Sequence, residues 1–226
     1  MKQKIIYICA LFASFAFFSC SQDGEIFSCD KDVNAWVKEN LAEIRQMDRA
    51  EWLKLDEVVK GPAFAAFTPN QKKSFWEAKL QKVMLLDWNE KELEHLNLLY
   101  KTVQTNPDWF NLILPSEKDD AVVESLEVFM FKWIEYAKEC LEWDRNLIGA
   151  IVASGNDLIN KNGLLASNSS SSIRLKDGSE LSNRTCDCSL DSDWCNKILF
   201  TCKDDGCWIV PYCGTFLLYR CDGYCK

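Results

Sequence analysis

Eight of the chain's twelve cysteines fall within its last 41 residues, at Cys186, Cys188, Cys195, Cys202, Cys207, Cys213, Cys221 and Cys225. A segment this short cannot bury a core large enough to outweigh its own conformational entropy, so covalent links must supply the difference. Cysteines at this density and in an even number read as a disulfide framework, which requires an oxidising compartment. Successive cysteines are separated by one, six, six, four, five, seven and three residues, and no Cys-x-x-Cys pair occurs. That spacing argues against a four-cysteine zinc site and against a thioredoxin-like redox pair, both of which are built on such pairs. It leaves the pairing of the eight open.

An oxidising destination needs an export route, and the N-terminus supplies one. Lys2 and Lys4 precede the uncharged apolar run Ile5 to Phe18, which fits a signal h-region and is too short to span a bilayer. Phe17-Phe18-Ser19-Cys20 then resembles a bacterial lipobox, so residues 1–19 read as a lipoprotein signal peptide. Cys20 becomes the lipidated mature N-terminus, with a covalent diacylglycerol expected on its sulfur. Two acyl chains anchor stably where one is marginal. Ser21, in place of Asp, argues by resemblance to other lipoproteins against retention at the inner membrane, so the outer membrane of the cell envelope is the expected location. Once Cys9 and Cys20 are set aside, Cys29 and Cys140 remain outside the C-terminal cluster, and a bridge between them is expected.

After an anchor segment at 20–29, residues 30–160 read as a helical domain. Val33, Trp36, Val37, Leu41 and Ile44 recur at helical spacing. Thr68-Pro69 opens a helix carrying Phe75, Trp76, Lys79, Leu80, Val83 and Leu86. Asn89 with Glu92 forms a capping-box start for Leu93, Leu96, Leu99 and Val103. Ser116 with Asp119 opens the longest run, in which Val122, Leu126, Phe129, Trp133, Ala137, Cys140 and Leu141 share a stripe. Gly61-Pro62, Asn106-Pro107 and Leu114-Pro115 punctuate these segments. Residues 161–185 contain seven serines and few bulky apolar side chains, which describes a flexible tether open to proteases. The expected architecture is mainly α: a multi-helix bundle, a Ser-rich linker, and a small disulfide-rich module at 186–226 with short strands or turns.

Composition excludes several function classes. Residues 21–185 carry 28 acidic and 20 basic side chains, and residues 186–226 carry six and four. Neither part is basic, so nucleic acid is not an expected partner, and the membrane contact is through the lipid. His95 is the sole histidine, so a Ser-His-Asp or Cys-His group could form only around it. Its setting among Leu93, Leu96 and glutamates suggests a packing or solvated role. With no P-loop, Gly-x-Ser-x-Gly or dinucleotide fingerprint, neither catalysis nor a metal or other cofactor is expected. Seven tryptophans between residues 36 and 143 read as core aromatics on helical stripes.

The last segment carries a more specific signal. It opens Cys186-Asp187-Cys188, continues to Asp193-Trp194-Cys195, and closes with Cys213-Gly214, an apolar run, Tyr219-Arg220-Cys221 and Cys225. This string resembles the bacteriocin fulvocin C, and the order of signal, helical region and cysteine module is similar to that of the fulvocin C-related proteins. The resemblance implies an antibacterial module that acts at a competitor's envelope, and the exposed Ser-rich tether near Lys176 or Arg184 is where cleavage would free it. Trp194, Trp208, Phe216 and Tyr219 are the aromatic residues expected to contact a membrane interface or partner, unless they fill the module's own core. The alternative function is a surface-displayed binding lipoprotein that does not kill.

Overall fold

The computed structural model of the chain describes residues 25–115, 121–166, 187–195, 200–204 and 211–226. Its described residues form eight α-helices followed by short strands confined to the C-terminal segment, a mainly α fold with a disulfide-rich end. The helices are α1 (Lys31–Glu39), α2 (Leu41–Ile44), α3 (Arg49–Trp52), α4 (Glu57–Ala65), α5 (Pro69–Val83), α6 (Glu90–Thr105), α7 (Ala121–Leu141) and α8 (Arg145–Val152). A 3₁₀ turn at Pro107–Asn111 connects α6 towards α7.

Local chemistry accounts for most helix starts. The side chains of Asp30, Asp48, Asp56, Thr68, Asn89 and Asp144 each accept a backbone N–H in the first turn of the helix they precede. Thr68 with Gln71 and Asn89 with Glu92 complete reciprocal capping boxes, and Pro69 takes the first helical position, where it forfeits no bond. Gly61-Pro62 does not end a helix as the sequence suggests. Both residues lie inside α4, and the glycine is needed because the Tyr212 ring sits where a Cβ would be, 2.5 Å away. The cap expected at Ser116 and Asp119 lies outside the described residues.

α5 is the central element. It packs on α6, on the 3₁₀ turn and on α3, while α1 packs on α4 and α7 bridges α6 and α8. Phe75, Trp76, Leu80 and Val83 of α5 meet Leu96, Leu99 and Val103 of α6 in one continuous core. Trp52, Trp76, Trp109, Trp133 and Trp143 are all buried in it, which places these rings as packing aromatics. On α7 the buried face is Leu126, Met130, Trp133 and Ala137, and Cys140 turns outward. Cys29 and Cys140 are both exposed thiols, and no bond joins them. The expected bridge fails because Cys140 lies on the exposed side of α7, between Ala137 and Leu141, which face the core.

Residues 161–166, assigned by sequence to the tether, are folded back on the helices. Ile159 N–H donates to Leu164 O (2.8 Å), Ala166 N–H donates to Asp157 O (2.8 Å), and Lys161 pairs with Glu92 (2.6 Å). Buried Leu158 and half-buried Leu165 supply the apolar contact that closes this turn. Residues 167–185, with all seven of the linker's serines, lie outside the described residues, as do the signal segment and Cys20.

Candidate functional site: the docked cysteine module

Three disulfides organise the described part of the module: Cys188–Cys202, Cys195–Cys225 and Cys213–Cys221. They span 14, 30 and eight residues, so each closes a loop within the segment. Strand β1 (Cys202–Asp204) pairs antiparallel with β4 (Gly223–Cys225), with Cys202 opposite Cys225. Strand β2 (Pro211–Cys213) pairs antiparallel with β3 (Tyr219–Arg220), and Cys213–Cys221 links β2 to the residue just after β3. The sulfurs of Cys188, Cys195 and Cys202 lie within 4.8 Å of one another because two bridges stack. Each sulfur is already bonded to another, so none offers a thiolate to a metal. Cys186, Cys207 and Trp208 fall outside the described residues.

The turn between β2 and β3 joins the module to the helical body. Gly214 has a φ of +67°, and a Cβ there would lie 2.7 Å from Ser192. Phe216 and Leu217 follow with φ values of 54° and 57°, a left-handed pair that costs about 1–3 kcal/mol per residue unless the surroundings hold it. The helical core does hold it. Phe216 is 0% exposed, its ring centroid lies 5.0 Å from that of Trp76 in an edge-on contact, and Trp109 and Phe110 flank it. Trp76 Nε1 donates to Phe216 O at 2.9 Å. Leu114 N–H donates to Leu218 O (2.9 Å), and Arg220 N–H donates to Leu114 O (2.7 Å), so the main chain of the module pairs with the connection after α6.

Phe216 and Tyr219, expected as interaction residues, are therefore core residues of the whole protein. Tyr219 is 8% exposed, and burial pushes its phenol up to about 12. Among the described residues, the module's separate buried cluster holds Cys213 and Cys221 with parts of Tyr212 and Tyr224. The aromatic run finds its burial in the helices instead. Trp194 is half-buried against α8. Its ring covers Gly149, the Arg145 guanidinium lies 4.9 Å above it, and its Nε1 donates to Thr215 Oγ1 at 3.0 Å.

Between module and helices lies a cleft of about 320 Å³. Glu57, Lys60 and Asn156 line its helical wall, and Asp187, Ser192 and Trp194 line the module wall. The loop at 153–157 that shapes the helical wall is held by cations. Arg49 donates to Gly155 O (2.7 Å) and Asp157 (2.8 Å), and Lys60 donates to Asn156 Oδ1 (2.9 Å) and Glu57 (2.6 Å). Lys79, 0% exposed, donates to Ala150 O (3.0 Å) and to Asn156 O. Burial and the nearby Arg49 charge, only partly offset by Asp157, push Lys79 down to about 7. Burial works against the Asp157 carboxylate, but hydrogen bonds from Lys82 and Arg49 hold it below its ordinary range. Asn156, Asp157 and this clamp were not foreseen from the sequence. The one signal was a lysine, Lys79, on the apolar stripe of α5.

His95 belongs to a separate packing device. Its ring stacks on Trp133 (4.5 Å, 10°), its Nε2 contacts Trp133 O (3.0 Å), and Trp133 Nε1 donates to His95 O (3.0 Å). Burial lowers its pKa, so the ring is neutral at pH 7 and bolts α6 to α7. Compared with known proteins, the chain matches no protein-family model, no curated protein and no solved structure.

Proposed function

We propose that this chain is an exported envelope lipoprotein, anchored through lipid on Cys20, whose fulvocin C-like module stays in the folded body as a binding element. The observation that carries this reading is the burial of Phe216, Leu217, Leu218 and Tyr219 in the core shared with the helices. Releasing the module as a peptide exposes all four. At about 1.5–3 kcal/mol for each buried side chain, that costs about 6–12 kcal/mol and leaves Trp76 Nε1 without its acceptor. A freely diffusing bacteriocin-like product is therefore the less favoured of the two readings.

The cleft is where a ligand fits this proposal. Carboxylates from Glu57 and Asp187, the Asn156 amide and the Ser192 hydroxyl offer donors and acceptors beside the Trp194 ring. A few convergent polar groups next to an aromatic face suit a hydroxyl-rich ligand such as an envelope glycan. The role is binding, and no catalytic step is assigned. Intact-mass spectrometry on the membrane fraction and the medium of expressing cells tests retention. An acylated species extending from Cys20 to Lys226 in the membrane is expected, and a medium peptide of the C-terminal segment alone would refute the proposal.

A further inference from the structure

Two facing stripes build a groove between α6 and α7. Lys91, His95 and Leu98 lie one turn apart along α6, and Phe129, Trp133 and Tyr136 do the same along α7. The groove they line has a volume of about 520 Å³, within the range of small-ligand sites, and Glu94 and Lys132 stand at its rim. A second basin of about 450 Å³ shares Phe129 and Lys132 with the first and continues along α7 past Ser125 to Ala121. At 1.5 Å per residue, the track from Tyr136 to Ala121 is about 22 Å long. Its floor is built of rings whose polar atoms bond one another. His95 Nε2 contacts Trp133 O (3.0 Å), and Trp133 Nε1 donates to His95 O (3.0 Å). Burial keeps the His95 ring neutral, so the floor carries no charge. Leu98 is 51% exposed and Tyr136 45%, which leaves apolar wall uncovered.

We propose that this groove binds a single-chain anionic amphiphile, a fatty acid or a lysophospholipid, with its carboxylate or phosphate at Lys91 and Lys132 and its acyl chain running over Leu98 and Phe129 towards Ala121. The charges select the occupant. Among the described residues neither Lys91 nor Lys132 forms an ion pair. Against the single Glu94 they leave the rim of the groove at a net +1, on a chain whose net charge is −8. An apolar trough with two unpaired ammonium groups at its rim complements a ligand that is apolar along its length and negative at one end. Glu124 borders the second basin, so the negative end belongs beside the lysines and the chain beyond them. Burial of the chain supplies affinity without direction, and the lysines pick out the head group. This site lies on α6 and α7, apart from the module and its cleft, so it stands or falls independently of the proposal that the module is retained.

The test is photo-cross-linking of the full-length protein in phosphatidylcholine nanodiscs with a diazirine-bearing palmitate, followed by peptide mapping. Label is expected on segments 91–98 and 125–136. Unlabelled palmitate or lysophosphatidylglycerol should displace it, and whichever displaces it better identifies the head group. The same chain carrying a trimethylammonium head is expected to leave these segments unlabelled. Lys91→Glu combined with Lys132→Glu should cut the labelling about tenfold, the scale of two exposed charge pairs. Leu98→Glu, which sets a carboxylate beside the acyl chain, should lower it as well. All three positions are exposed, so far-UV circular dichroism should not change. Label spread evenly over the protein surface overturns the proposal, as does label that neither competitor displaces. Equal labelling by the cationic probe, or labelling that survives the charge reversal, overturns it too.

Discussion

Phe216→Ala removes the ring through which the cysteine module inserts into the helical body. The ring is 0% exposed, meets Trp76 edge-on at 5.0 Å, and lies 6.3 and 6.2 Å from the Trp109 and Phe110 centroids. Substitutions of this type in rigid cores cost about 3–5 kcal/mol, the lost transfer energy plus the cavity. The upper half of that range is expected here, because tryptophan rings wall the site and collapse poorly into a void. For a chain of this size, each kcal/mol moves the melting temperature by about 2–4 °C, so a fall of about 8–20 °C follows. The informative assay is thermal unfolding followed both by far-UV circular dichroism, which reports the helices, and by tryptophan fluorescence, which reports the core. Both signals should shift together, because the variant weakens a core common to module and bundle. A loss below about 1 kcal/mol, the scale of an ordinary surface substitution, would refute the reasoning, as would a helical signal that stays put.

Other perturbations probe different contacts. Gly61→Ala places a methyl 2.5 Å from the Tyr212 ring and should cost about 1–3 kcal/mol in denaturant unfolding, with the module displaced from α4. Replacing Cys195 and Cys225 together by alanine should cost about 3.5 kcal/mol, and replacing Cys213 and Cys221 about 2.5 kcal/mol, because the first pair closes 30 residues and the second eight. Lys79 is pushed down to about 7 in the folded state, while the unfolded chain keeps the ordinary lysine value. Between pH 7 and about 10 the unfolded state therefore binds more protons, and this group makes stability rise with pH by up to about 1.4 kcal/mol per unit. Lys72, lowered to about 8 by burial, adds in the same direction from pH 8, so Lys79→Met should reduce the slope measured by urea unfolding at pH 7 to 9.5 without abolishing it.

The helices were legible because their signals are local. Thr68-Pro69 with Gln71, and Asn89 with Glu92, announce their helices within one turn, and the stripes of α5 and α6 point where their spacing says except at Leu93, which is exposed while Glu92 is buried. The disulfide-rich end was legible from density alone. What failed depends on which distant surface a residue meets. Gly61-Pro62 reads as a break, yet the chain remains helical there and its glycine accommodates Tyr212, roughly 150 residues later. Cys140 fits the periodic stripe in sequence but turns to solvent, while its neighbour Leu141 packs on the core. Phe216 reads as a residue of a self-contained staple, and only its approach to Trp76 makes it a core residue of the whole chain. The cation clamp was hidden because it joins residues 71 to 108 positions apart and three of its acceptors are the backbone carbonyls of Ala150, Gly155 and Asn156, which have no signature in side-chain identity.

The central claim is that module and helices form one folded unit, held by packing and not by a tether. The direct measurement is to engineer a specific protease site between residues 169 and 180, cut the oxidised native protein, and run gel filtration without reductant. The three described disulfides all lie within the module, so none of them joins the two fragments. The account predicts that the C-terminal fragment co-elutes with the helical fragment in native buffer and separates only in denaturant. A C-terminal fragment that elutes alone under native conditions would contradict it.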